Sequence, residues 1–318
     1  MKLIKIFFVI LFFSSCTNKN NSLPTVAFID AFEDNTIAKA KQGFFAALKK
    51  NGFSEEQKTI NVIYRNAQGN IPTLTQIVQY AKSAKVNLIA TCPSISTITA
   101  IQNVQDIPVF MMVSPKPELM KINTKDGKTP TNLYGVGEDL SYIDTSFGLI
   151  PKLLNKKGNI KVGMIFNQSE PQSVDALNHI KILAQQMNIE LITLPVNSSA
   201  ETQLVTQSLL SKNIDAFFAN PDNVIFASFE TIIQSCNNAK VPVFTSEAGL
   251  VSRGAVAAYG ADMYAWGYQA GEQAAQYLKT KSTKNLHWQM VELRKKVYNQ
   301  KVAQQFGIIV DSSFESIN

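Results

Sequence analysis

Residues 161–194 read KVGMIFNQSEPQSVDALNHIKILAQQMNIELITL. Lys161–Phe166 is a short, mostly apolar run bounded by polar residues, as a buried strand requires. Val174, Leu177, Ile180, Ala184 and Met187 then recur at spacings of three and four, which places them on one face of a helix. Glu190–Leu194 returns to strand character. Strand, helix and strand in succession make a βαβ unit, and such a crossover sets its two strands parallel.

The same alternation runs outward in both directions. Upstream lie strands at Val26–Ile29, Ile60–Tyr64, Asn87–Ala90 and Val109–Val113. Between them, Ile37, Ala40, Phe44 and Leu48 line one helix, which Asn51-Gly52 stops. A second helix runs from about Asn70, with Leu74, Ile77, Val78 and Ala81 on its apolar face, and a third covers Ile95–Val104. Downstream the order is a helix near Ala200–Leu210, a strand at Asp215–Phe218 and a helix at Asn223–Asn237. Strands at Val241–Thr245 and Ala255–Tyr259 precede a long helix at Ala261–Lys279. Tyr134-Gly135-Val136-Gly137 reads as a hinge or strand crossing. Leu88-Ile89-Ala90 and Val241–Phe244 look buried on both faces, as parallel sheets demand. The expected fold is α/β, with two parallel-sheet lobes.

The N-terminus bears on compartment. Lys2 and Lys5 precede an unbroken apolar run, Ile6–Phe13, and small Ser14 and Ser15 lead into Cys16. That run is short of the ~20 apolar residues a membrane span needs and has the parts of a secretory signal. Phe13-Ser14-Ser15-Cys16 resembles a bacterial lipobox, so Cys16 is the expected lipidation site. Residues 1–15 are then a signal peptide and 16–24 a polar tether.

The bulk composition narrows the function classes. A length of 318 residues with 45% hydrophobic content suits two ordinary domains. The net charge of +6 is spread along the chain without a basic block, which argues against nucleic acid as a partner. If Cys16 carries lipid, Cys92 and Cys236 remain, as buried thiols or as a bridge that sequence cannot place. The two histidines, His179 and His287, have no metal-ligand spacing. No nucleophile elbow, Walker loop or dinucleotide fingerprint occurs. A binding protein without metal or cofactor is expected, not an enzyme.

In open α/β sheets ligands sit at the carboxyl ends of strands. The loops to inspect are Asp30–Asn35, Thr91–Thr97, Asn167–Ser173, Asn220–Asn223 and Ser246–Gly249. Each pairs hydroxyl, amide or acidic side chains with the start of a helix. One loop alone reads as helix capping. Five on a two-lobed body point to a shared cleft, where helix N-termini suit a carboxylate and acidic groups an ammonium.

With these loops in view, the chain resembles the ABC-transporter substrate-binding proteins associated with aromatic amino acids such as tryptophan. The resemblance is carried by Gly43-Phe44, Tyr64–Asn70, Leu88–Ser94, Asp106–Phe110, Val162–Asn167 with Glu170 and Ser173, and Asn197-Ser198-Ser199. Asp215-Ala216, Pro221-Asp222-Asn223, Val241–Phe244 and Arg253-Gly254-Ala255 continue it. It implies a type I periplasmic-binding-protein fold: two Rossmann-like lobes, a multi-stranded hinge and a ligand between them. Lobe 1 would take residues 25–138 plus about 262–285, and lobe 2 residues 139–261 plus about 286–318.

By position, Ser94, Ser96 and Thr97 would reach the ligand from the first lobe. Gln172 and Ser173 would bind its carboxylate, Asp222 its ammonium, with Asn223 alongside. Ser246 and Glu247 would form the second-lobe wall, and Phe32 and Glu33 would cover the ligand. Phe32, Phe226 and Tyr142 are candidate ring contacts. Glu33-Asp34-Asn35, Cys92, Glu247 and a longer 120–132 stretch depart from the family pattern and bear on ligand identity. The implied partners are a small solute, a permease and, through it, an ATPase, with the monomeric chain lipid-anchored at the cell envelope. A lipoprotein binding a nucleoside or sugar, or one acting on a membrane receptor, is the alternative.

Overall fold

The computed structural model describes residues 23–154, 156 and 158–317. Residues 1–15 and Cys16 lie outside the described residues, as does the tether up to residue 22.

The first lobe begins with β1 (Thr25–Asp30), α1 (Ala38–Lys50), β2 (Asn61–Asn66) and α2 (Ile71–Ser83). It continues with β3 (Leu88–Cys92), α3 (Ser94–Asn103), β4 (Val109–Pro115) and β5 (Leu133–Glu138). Local sequence sets these ends. The Asn70 side chain accepts from Thr73 N at the start of α2, with a proline in the first turn. Gly52, at φ +89°, takes the left-handed turn after α1 that a side chain would resist.

The second lobe opens with α4 (Ser141–Phe147), α5 (Leu149–Leu153), β6 (Ile160–Asn167), α6 (Pro171–Gln186) and β7 (Ile189–Val196). Then come α7 (Thr202–Leu210), β8 (Ala216–Ala219), α8 (Asn223–Ala227), α9 (Phe229–Asn238), β9 (Val243–Thr245), α10 (Ala248–Val251) and β10 (Ala257–Ala261). The single helix expected at Asn223–Asn237 is two, broken at Ser228, whose φ of −120° leaves helical geometry. The chain ends with α11 (Met263–Thr280), β11 (Gln289–Met290), β12 (Arg294–Asn299), α12 (Gln300–Gln305) and β13 (Glu315–Ile317).

Two parallel sheets result, ordered β11-β5-β4-β3-β1-β2 and β7-β6-β8-β9. A third, β10-β12-β13, has one antiparallel and one parallel pairing. The fold is thus the expected α/β type, with two lobes. The chain passes between them three times, at 138–141, 261–263 and 290–294. The third passage falls after β11, which still pairs with β5. Ion pairs tie the passages together: Arg294 to Glu138, and Lys295 to Asp262 at 3.1 Å.

α11 returns to the first lobe and lies against α1 with backbones nearly touching. A Cβ on Gly267 would stand 1.8 Å from Ala40 O, and one on Gly43 2.0 Å from Tyr264 O. Tyr134–Gly137, read as a hinge or strand crossing, lies within strand β5. Gly135 adopts φ +93° beside an irregular stretch of β4, and the Gln273 side chain of α11 pairs both its N–H and its carbonyl.

Apolar packing holds each layer. Leu74, Ile89 and Val109 sit in a cluster under α2 and α3, and Phe147, Met164 and Ile180 in one under α4 and α6. A third cluster runs continuously from Phe28 and Phe44 of the first lobe to Phe217 and Phe229 of the second. Cys92 and Cys236 are buried free thiols. No described helix is long and apolar enough to cross a membrane.

Candidate ligand-binding cleft

The strand ends of both sheets converge on a cavity between the lobes, partly open to solvent. Its aromatic wall is Tyr142, Phe226 and Trp266, with Leu140, Val113 and Pro115 adding apolar surface. Its polar lining includes Ser94, Gln172 and Asn223 and four acids, Glu138, Asp139, Asp222 and Glu247. Among the described residues, no Lys or Arg lines it.

Each acid has a different setting. Asp222 caps α8: Oδ1 accepts from Val224 N at 2.8 Å and Ile225 N at 3.3 Å. Its Oδ2 accepts from Asn167 N at 2.7 Å and Ser173 Oγ at 2.6 Å. Burial still raises its pKa, against the pull of these donors. Glu247 is 4% exposed and accepts from the Tyr142 hydroxyl at 2.9 Å. Burial pushes it up to about 7. Glu138 ends β5 and is paired by Arg294, yet burial pushes it too up to about 7. Behind the cavity, Glu170 is pushed up to about 8, by burial and then by the negative charge of Asp222.

The donors near the cavity are largely committed. Trp266 Nε1 donates to Val136 O at 2.8 Å, and Gln172 Nε2 to Ser94 Oγ and Glu170 Oε2. Gln172 Oε1 is buried and has no protein partner. The cavity therefore presents mainly acceptors and negative charge to whatever enters it. A counterweight is the start of α3, where no side chain caps the backbone N–H groups beside Pro93 and Ser94.

The structure sorts the residues singled out from sequence. Ser94, Gln172, Asp222, Asn223 and Glu247 come together around the cavity, as do Tyr142 and Phe226. Ser96 donates to Cys92 O, and Thr97 bonds Thr91 and Ser114 inside the first lobe. Ser173 is buried behind Asp222, accepting from Asn167 N and Asn220 Nδ2. Ser246 is fully buried and does not line the cavity. Phe32 lines a separate chamber further out between the lobes, and Glu33 is exposed and lines neither. Glu138 and Trp266 escaped the sequence reading because they sit at lobe passages, not in loops after strands. Trp266 is one of only two tryptophans and opens a long helix, a signal that could have marked it.

A two-lobed α/β body with an acid- and aromatic-lined cavity at its strand ends is built to enclose a small solute. The sequence model described as "ABC transporter substrate binding protein" matches residues 25–316. The chain belongs to the ABC transporter substrate-binding protein family. This substrate-binding protein is 32% identical over 250 residues to a tyrosine-binding protein of Clostridioides difficile, covering 79% of its own length and 71% of the relative's. A conserved domain protein from Vibrio cholerae, 26% identical, superposes with a TM-score of 0.84 over 93% of this chain and 99% of that one. An ABC domain from Streptococcus pneumonia, crystallised with L-Trp, gives 0.82 at 22% identity over 92% and 97%. Both likenesses establish the type I periplasmic-binding-protein fold. Substrate-binding proteins of ABC transporters work outside the cytoplasm and are not a class of enzyme.

Proposed function

We propose that this substrate-binding protein captures an aromatic amino acid and hands it to the permease of an ABC importer. The observation that carries this reading is the cavity lining: three aromatic side chains beside four acids, with no basic residue among the described residues. An aryl group finds ring faces in Tyr142, Phe226 and Trp266. The ammonium finds Glu247, with Gln172 Oε1 as a free acceptor, while Glu138 is already paired by Arg294. Asp222 joins them more weakly, since its carboxylate already accepts four hydrogen bonds. The ligand carboxylate is assigned to the uncapped start of α3 at Ser94. The names of the tyrosine-binding relative and the L-Trp-bound neighbour support the same ligand class.

Lipidation at Cys16, a tether over 16–24, a monomeric state, and an ATPase reached through the permease complete the proposal. Thermal melting with L-Tyr, L-Trp, L-Phe, a nucleoside and a sugar tests the ligand class. A true ligand at 100 times its Kd adds about 2.7 kcal/mol of stability. Stabilisation by the nucleoside or sugar, and by none of the aromatic amino acids, would overturn the reading. Labelling cells with a radioactive fatty acid tests the anchor: the label should enter the protein and be lost in C16A.

A further inference from the structure

We propose that Asn223 is a partition that sets how long a ligand the cleft accepts. The idea rests on the inner cavity being the ligand site, and it concerns what lies beyond that cavity's wall.

A second chamber of about 350 Å³, partly open to solvent, lies between the lobes on the far side of Asn223. Phe32, Ile71, Leu74 and Val224 give it apolar surface, and Asn70 and Ser198 are among its polar groups. Among the described residues, Asn223 alone lines both this chamber and the inner cavity. Its Nδ2 donates to Ser94 Oγ of the first lobe and to Glu170 Oε2 of the second, both at 3.1 Å. Gln172 Nε2 reaches the same two oxygens, at 3.1 and 2.6 Å. The two amides thus stand between Ser94 and Glu170, and their bonds to Ser94 exist only while the lobes are together.

On its inner side the wall limits the ligand to the size of a free amino acid. On its outer side, apolar surface mixed with amide and hydroxyl groups suits a second residue of a short peptide. There the peptide group would meet side-chain donors and acceptors while its side chain met Phe32 and Leu74. Shortening Asn223 removes the one side chain that lines both spaces and opens a path between them beside Gln172. The chain then becomes a receptor for aromatic dipeptides.

Isothermal titration of the wild type and N223A with L-tyrosine, Tyr-Leu and Leu-Tyr tests this, the two dipeptides extending the ligand from either end. The wild type should prefer tyrosine strongly. N223A should narrow that preference by roughly ten-fold or more for at least one dipeptide. Should N223A fail to fold, N223S is measured in the same way. Equal exclusion of both dipeptides by variant and wild type would overturn the proposal, as would wild-type binding of a dipeptide as tight as tyrosine. If the wild type binds no aromatic amino acid, the ligand reading fails, and the partition is judged by the variant's crystal structure. Joined chambers there support it, and separate chambers refute it.

Discussion

Arg253 of the second lobe donates through Nη1 to Asp34 Oδ2 of the first at 2.5 Å, on the rim of the cleft and away from the ligand cavity. The Asp34 side chain is 2% exposed, and its other oxygen accepts from Thr36 N and Ile37 N just before α1. Arg253 also forks onto Glu230 and donates to Phe226 O, in the backbone of a cavity-wall residue. Both charges can be hydrated when the lobes part, and both are buried when they meet, so the pair acts on closure. Removing one partner of a buried pair costs about 3–5 kcal/mol. R253A should therefore weaken ligand binding by roughly a hundred-fold to a few thousand-fold, mostly through faster dissociation. Stopped-flow dissociation rates check this. The double variant D34N/R253Q should recover part of the loss, and wild-type rates in R253A would remove the latch role.

Asp222 and Glu247 should separate on mutation. Asp222 holds the start of α8 and the end of β6 together, so D222A should cost about 2–4 kcal/mol of stability as well as affinity. Glu247 accepts one hydroxyl and lies open to the cavity, so E247Q should keep its melting temperature and lose affinity for the ammonium. Paired melting and titration data distinguish them. A D222A protein that melts like the wild type would contradict the capping role.

Closure of the unliganded protein should depend on pH. Glu138 and Glu247 are pushed up to about 7 with the lobes together, chiefly by burial. An open cleft would leave them closer to ordinary carboxylates, so closing takes up protons. That contribution is complete below about pH 4.5 and is lost as pH rises through about 7. Small-angle scattering should show a more compact protein at pH 5 than at pH 8, and E138Q/E247Q should flatten the trend. A radius of gyration constant in both proteins would count against it.

Trp266 offers a direct readout. It lines the cavity, while the other tryptophan, Trp288, packs against the α2 and α3 side of the first sheet. Ligand should shift the emission of the wild type and leave W266F nearly unchanged, though W266F should still bind with reduced affinity.

The contact between α1 and α11 gives a stability prediction remote from the cleft. G267A would drive a methyl into the Ala40 carbonyl, and overpacking of this kind costs about 1–3 kcal/mol or more. Urea unfolding should register the loss, and the bound ligand's contacts should be unaffected.

The layered fold was legible because its helices carry strong apolar stripes, as from Val174 to Met187, and its inner strands are continuous apolar runs. What stayed hidden had weak local signals. β11 and β13 are two and three residues long and take their identity only from partners elsewhere in the chain. The glycines of β5 argue locally against a strand, and Gln273, far along the chain, makes that backbone acceptable. In the cleft, sequence located the loops but not the direction of their side chains. Ser94 faces the cavity while Ser96 and Thr97, two and three positions on, turn inward. A helical turn rotates neighbours to different faces, and only packing decides which face looks into the cleft.

The three passages between lobes also bear on timing. α1 is among the first elements made, yet its partner α11 ends at Thr280, and β5 gains its outer neighbour only at Gln289. The second lobe in turn waits for β12 and β13. Neither half can complete its core while the last tenth of the polypeptide is still missing. Contacts so distant in sequence slow folding. A chain delivered amino end first thus remains pliable nearly to its final residue, the condition in which a polypeptide can be threaded through a membrane before it sets.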